Sequence, residues 1–175
     1  MLRNRFGTIA APAGPALSRD ELTALVVRAK NSGFVGDGLL VSNPMISGTK
    51  QYEKHDGEYL YRDIFEQGHV FWGLETLQSM DRPELGVLWS EHYRGQIFPE
   101  CRLDPRGIYQ FLKCALRALY AEGRFLGGFR FEDSHQQFVY VDVNDGTVNE
   151  FRGQEIISHR GKRIYVLNYQ GGTSR

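Results

Sequence analysis

The sequence lacks several features that would narrow its role at once. It has no surplus of positive charge: lysine plus arginine and aspartate plus glutamate both total 21. Neutralising phosphates supplies most nucleic-acid affinity, so no nucleic-acid partner is expected. It has only two cysteines, Cys101 and Cys114, which form neither a disulfide framework nor a CxxC pair. That usage points to a reduced, cytoplasmic protein, with Cys114 as a small buried residue of a helix. No apolar run is long enough to span a membrane, so none is expected to be crossed. The five histidines show no metal-ligand spacing, so no metal is expected. With no phosphate-binding loop, nucleophile elbow or dinucleotide fingerprint, no cofactor is expected either.

Aromatic residues and glycine are plentiful: nine Tyr, eleven Phe and twenty Gly. Aromatics favour strands and glycine favours turns, so the composition leans towards β structure. Residues 1–17, with the Ala/Pro/Gly stretch from Ala10 to Ala16, read as a flexible N-terminal tail. Residues 18–172 are expected to form a single domain.

Two helices are written clearly. Ser18 and Glu21 make the S-x-x-E capping box, and Leu22, Leu25, Val26 and Ala29 follow at one-face spacing, with Gly33 placed to stop the helix. Asp104-Pro105 opens the second helix, whose stripe runs through Ile108, Phe111, Leu112, Ala115, Leu116 and Leu119. The second stripe is the wider, so that helix is expected to be the more buried. Strands are predicted at 59–65, 70–77 and 86–93 after the first helix, and at 138–143, 148–158 and 163–169 after the second. A shorter strand is expected before each set, near 35–41 and 125–131. Asp145-Gly146 and Arg160-Gly161 mark hairpin turns.

The two halves share an ordered set of short motifs. Phe34-x-Gly36 matches Phe125-x-Gly127, and Tyr61-x-Asp63 matches Tyr140-x-Asp142. Phe71-x-Gly73-x-Glu75 matches Phe151-x-Gly153-x-Glu155, and Tyr93-x-Gly95 matches Tyr169-x-Gly171. The first half also carries an inserted loop around Asn43 to Gly48. The fold predicted is α+β: an internally duplicated unit of one helix and an antiparallel meander, about 18–97 and 104–172, with two helices, about eight strands and pseudo-two-fold symmetry.

Side chains alternate along a strand, so each unit should have an aliphatic face (Val139, Val141, Val143) and an aromatic-acidic one. Helices are expected on the aliphatic face. The other is the candidate site, with Tyr61, Trp72, Trp89, Tyr93, Tyr140, Tyr165 and Tyr169 as walls and Asp63, Glu75, Asp142 and Glu155 as polar anchors. Glu91 and His92 join the candidates, because function is expected where the halves differ, as they do at these two and at Trp72. A tyrosine hydroxyl on a carboxylate is also an ordinary way to finish a half-buried sheet.

The same motifs, closing on Tyr165-x-x-x-Tyr169-x-Gly171-Gly172, resemble a bacterial domain family of unknown function, over about Leu22 to Gly172. Members of that family stand alone or follow a helix-turn-helix domain of the XRE regulator type. The resemblance implies no activity, and its regulator context favours a sensory or partner-binding role. The leading expectation is a cytoplasmic module that binds a small molecule or protein partner on the aromatic-acidic face. The alternative is an enzyme using carboxylate acid/base chemistry between the two units, and a third reading makes that face a homodimer interface.

Overall fold

In the computed structural model, which describes residues 17–36, 38–135 and 137–174, Ser18 caps the first helix as its spacing predicts. Its hydroxyl accepts from the Glu21 N–H at 3.3 Å, and the Glu21 carboxylate accepts from the Ser18 N–H at 2.9 Å. The predicted tail, apart from Leu17, lies outside the described residues. Helix α1 (Arg19–Ser32) is followed by strands β1 (Lys50–Asp56), β2 (Tyr59–Glu66), β3 (Val70–Ser79) and β4 (Val87–Ile97). Helix α2 (Pro105–Ala121) is followed by β5 (Phe129–Glu132), β6 (Phe138–Thr147), β7 (Glu150–His159) and β8 (Lys162–Thr173). Asp104 caps α2, accepting from the Arg106 N–H at 3.0 Å.

All eight strands join one antiparallel sheet in the order β1-β2-β3-β4-β8-β7-β6-β5. The described residues therefore form an α+β fold with two α-helices and eight strands. Strand order rises through the first half and descends through the second, so β4 and β8, each the last strand of its half, pair in the centre. No described helix is long and apolar enough to cross a membrane.

Several expectations are corrected. The described residues of 35–41 form no strand beyond an isolated bridge from Leu40 to Tyr52. Gly33 to Gly36 turn tightly against the end of α1, and the Gly38 N–H returns to the Gly33 carbonyl at 2.9 Å. The first strand is instead the polar β1, an edge strand whose charged residues suit its one-sided pairing. Asp145-Gly146 lies inside β6, and the turn falls later, at Val148-Asn149. There the buried Trp89 indole donates to the Val148 carbonyl at 3.1 Å and the Thr173 N–H donates to that of Asn149 at 3.0 Å. Helix α2 is no more buried than α1, which adds Val27 and Lys30 to its buried stripe. Cys114 is exposed.

The largest correction concerns the faces of the sheet. Both helices cover the aromatic-acidic face, where Tyr61, Phe71, Trp89, Tyr140, Phe151, Tyr165 and Tyr169 pack with the helix stripes. The aliphatic face is turned outward, and Val143 is 63% exposed. A buried ring removes more area from water than a valine, and its polar tip finds a partner inside.

Glycine makes that packing possible. Gly73 pairs with Tyr93 and Gly153 with Tyr169 across their ladders. In each case the tyrosine ring lies where a Cβ on the glycine would stand. The ring crosses the neighbouring strand and carries its hydroxyl to an aspartate one strand further: Tyr93 to Asp63 at 3.0 Å, Tyr169 to Asp142 at 2.7 Å. Gly73→Ala and Gly153→Ala are expected to destabilise by about 1–3 kcal/mol each, because the ring must move and abandon its aspartate. Urea unfolding measures this, and wild-type stability in both variants would refute the ring placement.

Candidate functional site

Directly paired residues of neighbouring strands share a face. Asp63 pairs with Glu75, and Glu75 with Glu91, so one rung of the helix-covered face carries three acids side by side on β2, β3 and β4. In the second half Asp142 pairs with Glu155, and Glu155 with Leu167. Like charges directly opposite one another repel, and burial makes the repulsion worse.

Lys30 answers it from above. Leu22, Val26 and Lys30 lie four residues apart, so the last turn of α1 points its lysine where the helix otherwise buries apolar residues. The Lys30 ammonium lies 2.7 Å from Glu75 Oε2 and 3.1 Å from Glu91 Oε1. Its side chain is 6% exposed, and it sits 5.7 Å from the ring centres of both Trp89 and Phe125. Burial alone would lower its pKa, but Glu75 and Glu91 override that and hold it well above the ordinary lysine value.

One ammonium cannot neutralise the whole cluster. Burial, with the neighbouring Glu75 charge, pushes Asp63 up to about 8, against its bond from Tyr93. Burial raises Glu91 to about 8 against the pull of Lys30, with Glu75 and Glu155 adding to the rise. Burial and Asp142 raise Glu155 to about 8. Asp142 is raised more modestly, since Tyr169 and an Asn144 amide at 2.5 Å favour its charged form. The Tyr165 hydroxyl donates to Glu155 at 3.3 Å. The buried Tyr140 hydroxyl lies near the same carboxyl and, like Tyr165, favours its charged form.

These groups surround two chambers beneath the helices. The larger, about 110 Å³, has Asp63, Glu75, Glu91, Glu155 and Lys30 among its lining and Phe71, Tyr109 and Tyr165 as aromatic walls. It reaches the surface beside the exposed Glu66 and Gln67. The smaller, about 20 Å³, is bounded by Tyr140, Asp142 and Tyr169. Lys30, Glu91, Tyr120 and Glu155 line both.

Of the residues singled out from sequence, Tyr61, Asp63, Glu75, Glu91, Tyr93, Tyr140, Asp142, Glu155 and Tyr169 line these chambers. Trp89 is fully buried behind Lys30. Trp72 and His92 alternate with the inner residues and lie on the outer face: the Trp72 indole bonds Glu66 at 2.7 Å, and the His92 ring contacts Gln170 at 2.8 Å. The inserted loop lines neither chamber. Sequence reasoning passed over Lys30, Tyr109 and Tyr120. The signal was present, because Lys30 extends Leu22 and Val26, and Tyr120 extends Leu112 and Leu116, each at four-residue spacing on a buried stripe.

Asp63, Glu91 and Glu155 keep their protons in the folded chain up to about pH 8. Unfolded, such groups lose them near about pH 4. The folded state therefore binds more protons in between, and stability falls as pH rises through that window and levels off above it. The melting temperature is expected to fall between pH 5 and 9, with a shallower fall in Asp63→Asn and Glu155→Gln; a flat or rising profile would contradict the buried cluster. Lys30→Met strands Glu75 and Glu91 and is expected to cost about 3–5 kcal/mol. Denaturant unfolding should show a smaller loss at pH 6 than at pH 9, since Glu91 already carries its proton at the lower pH, and an equal loss at both would argue against charge as the cause.

The chain matches the family described as Domain of unknown function (DUF5680) over residues 63–174, a shorter stretch than the Leu22 to Gly172 of the resemblance. The match takes in Asp63, Glu75, Glu91, Asp142 and Glu155 and leaves out α1 with Lys30. No curated protein and no solved structure matches the chain. Because the match spans more than half of its residues, the chain belongs to the DUF5680 family of domains of unknown function.

Proposed function

We propose that this protein is a small-molecule-binding module whose ligand enters the larger chamber between the helices and the sheet. The observation that carries this reading is a chamber of about 110 Å³ with four carboxyls and a lysine inside and aromatic walls around them. Ligand sites combine apolar walls with a few convergent polar groups in this way. The chain's own helices cover the aromatic-acidic face, which supports a small ligand over a protein partner or second copy there. A cytoplasmic setting fits the two free cysteines. We also propose that each half is a copy of one unit, which accounts for the matching Gly73–Tyr93–Asp63 and Gly153–Tyr169–Asp142 contacts.

A second reading, acid/base catalysis in the same chamber, is favoured by the burial of Asp63 and Glu155 in its lining, which pushes both carboxyls up to about 8. A general acid or base works best when its pKa lies near the working pH.

A metabolite-library thermal-shift screen tests the proposal. At least one compound is expected to raise the melting temperature of the wild type and of the outer-face variants Trp72→Ala and His92→Ala. The same compound should lose its effect on Glu75→Gln and Glu155→Gln. If nothing raises the wild-type melting temperature and both glutamine variants merely lose stability, these residues are structural and the ligand site is refuted. Consumption of a hit over hours, followed by NMR, would decide for the enzyme.

A further inference from the structure

The two halves treat the outer face of the sheet differently. Leu60 and Ile64 alternate with the inward Tyr61 and Asp63, so they project from β2 onto the outer face. Both are nevertheless buried, and so is Gln51, which pairs with Ile64. The inserted loop lies over this corner. The Met45 N–H donates to the Gln51 side chain at 2.8 Å, and the Val41 N–H donates to the Gln51 carbonyl at 2.9 Å. The motif match that sets Tyr61 against Tyr140 also sets Leu60 against Val139 and Ile64 against Val143, and the second half carries no matching insertion. Ile64 is 5% exposed, and Val143 is 63% exposed.

Val143 belongs to a larger patch. Val139 and Val141 lie beside it on β6; Val141 pairs with Ile156, and Ile156 with Val166. Together they form an aliphatic strip across the neighbouring strands β6, β7 and β8, all of it partly or largely exposed. Single exposed apolar residues are ordinary, but a contiguous patch marks a surface that another surface covers. The loop carries apolar residues of its own to the outside: Met45 is 67% and Ile46 43% exposed. It overlies β1 and β2 at one end of the strand order, and the strip lies towards the other end.

A second copy brings the two together. Rotation about a two-fold axis that runs parallel to the strands, between β4 and β8, stacks β1 and β2 of each copy on β5 and β6 of the other. Each loop then covers the partner's strip as it covers Ile64 in its own chain. Near the axis Arg94 pairs with Asn168 within one copy, so the rotation sets Arg94 against the partner's Asn168 and keeps the two guanidiniums apart. Strands of about nine residues, about 4.8 Å apart, give roughly 1,000 Å² of outer face per copy. A standard specific interface takes about 800 Å² from each partner. We propose that this protein is a homodimer through its outer faces, with Met45 and Ile46 of each copy seated on the Val141 and Val143 strip of the other. The helix-covered chambers take no part, so the inference stands apart from the ligand site.

Sedimentation of the full chain tests it over about 1–100 μM, a range in which the weaker interfaces of this size exchange. The wild type is expected to sediment as a dimer. Met45→Glu and Val143→Lys change exposed positions and should keep the wild-type melting temperature. Each should weaken the dimer by about tenfold or more, because each buries a charge against an apolar surface. Mixed together, the two variants should associate again: their heterodimer has one wild-type contact and one that sets a glutamate against a lysine. Gln110→Glu, on the exposed side of α2, should sediment as the wild type does. A wild type that is monomeric throughout would overturn the proposal, as would a dimer indifferent to both substitutions. A dimer lost in Val143→Lys but kept in Met45→Glu would place strip on strip and overturn the role of the loop. Failure of the mixture to associate would overturn it too.

Discussion

Asp63, Glu75 and Glu91 stand side by side on three adjacent strands, on the face the helices cover, and the interior is organised around holding them there. Two unit charges about 5 Å apart repel by roughly 3 kcal/mol at the effective dielectric of a protein site. Three in a row, away from water, cannot all ionise without compensation. The chain uses two kinds. Lys30 supplies one positive charge from the last turn of α1, and protons on Asp63 and Glu91 remove the rest near neutral pH. The position of α1 is therefore tied to the charge of the sheet beneath it as well as to its apolar stripe.

The aromatic scaffold follows from the same constraint. A carboxyl on a covered face needs donors, and Tyr93 and Tyr169 supply them by lying flat across Gly73 and Gly153. Phe71 stacks on Tyr165 at 5.5 Å and Phe151 on Trp89 at 5.8 Å, filling the space between. Rings of this size bridge strands and helices without closing every gap, and the chambers are what they leave. Carboxyls, tyrosine hydroxyls and the Lys30 ammonium line them, which sets them apart from a dry cavity, whose walls are apolar.

The two halves carry the same glycine, tyrosine and aspartate contacts, yet the chamber is not shared equally. Glu91 and Lys30 come from the first half, and Leu167 occupies the rung beside Glu155 in the second. Of the positions singled out because the halves differ, Glu91 lines the chambers, and Trp72, His92 and the inserted loop stay outside both. The contacts common to both halves read as scaffold, and Glu91 and Lys30 add an ion pair to the larger chamber that the second half does not match.

Much was legible in the residues themselves, because it depends on local chemistry. Capping boxes, apolar spacing and alternation are short-range, so both helices and seven of the eight strands, all but β1, could be placed from sequence. The acids and tyrosines that meet could be named because strand alternation puts them on one face. Two decisions needed the assembled molecule. Which face the helices cover depends on total buried area and on whether polar tips find partners, and the valines of β6 suggested the opposite answer. Whether a charged residue on a helix stripe points inward depends on what lies beneath it. Lys30 sits in a readable pattern, but only the three carboxyls brought together by β2, β3 and β4 make its burial favourable. The sequence by itself determined most of the elements and most of the groups that meet; the tertiary structure decided which side is inside and which buried charges are paired, because both depend on groups far apart in the chain.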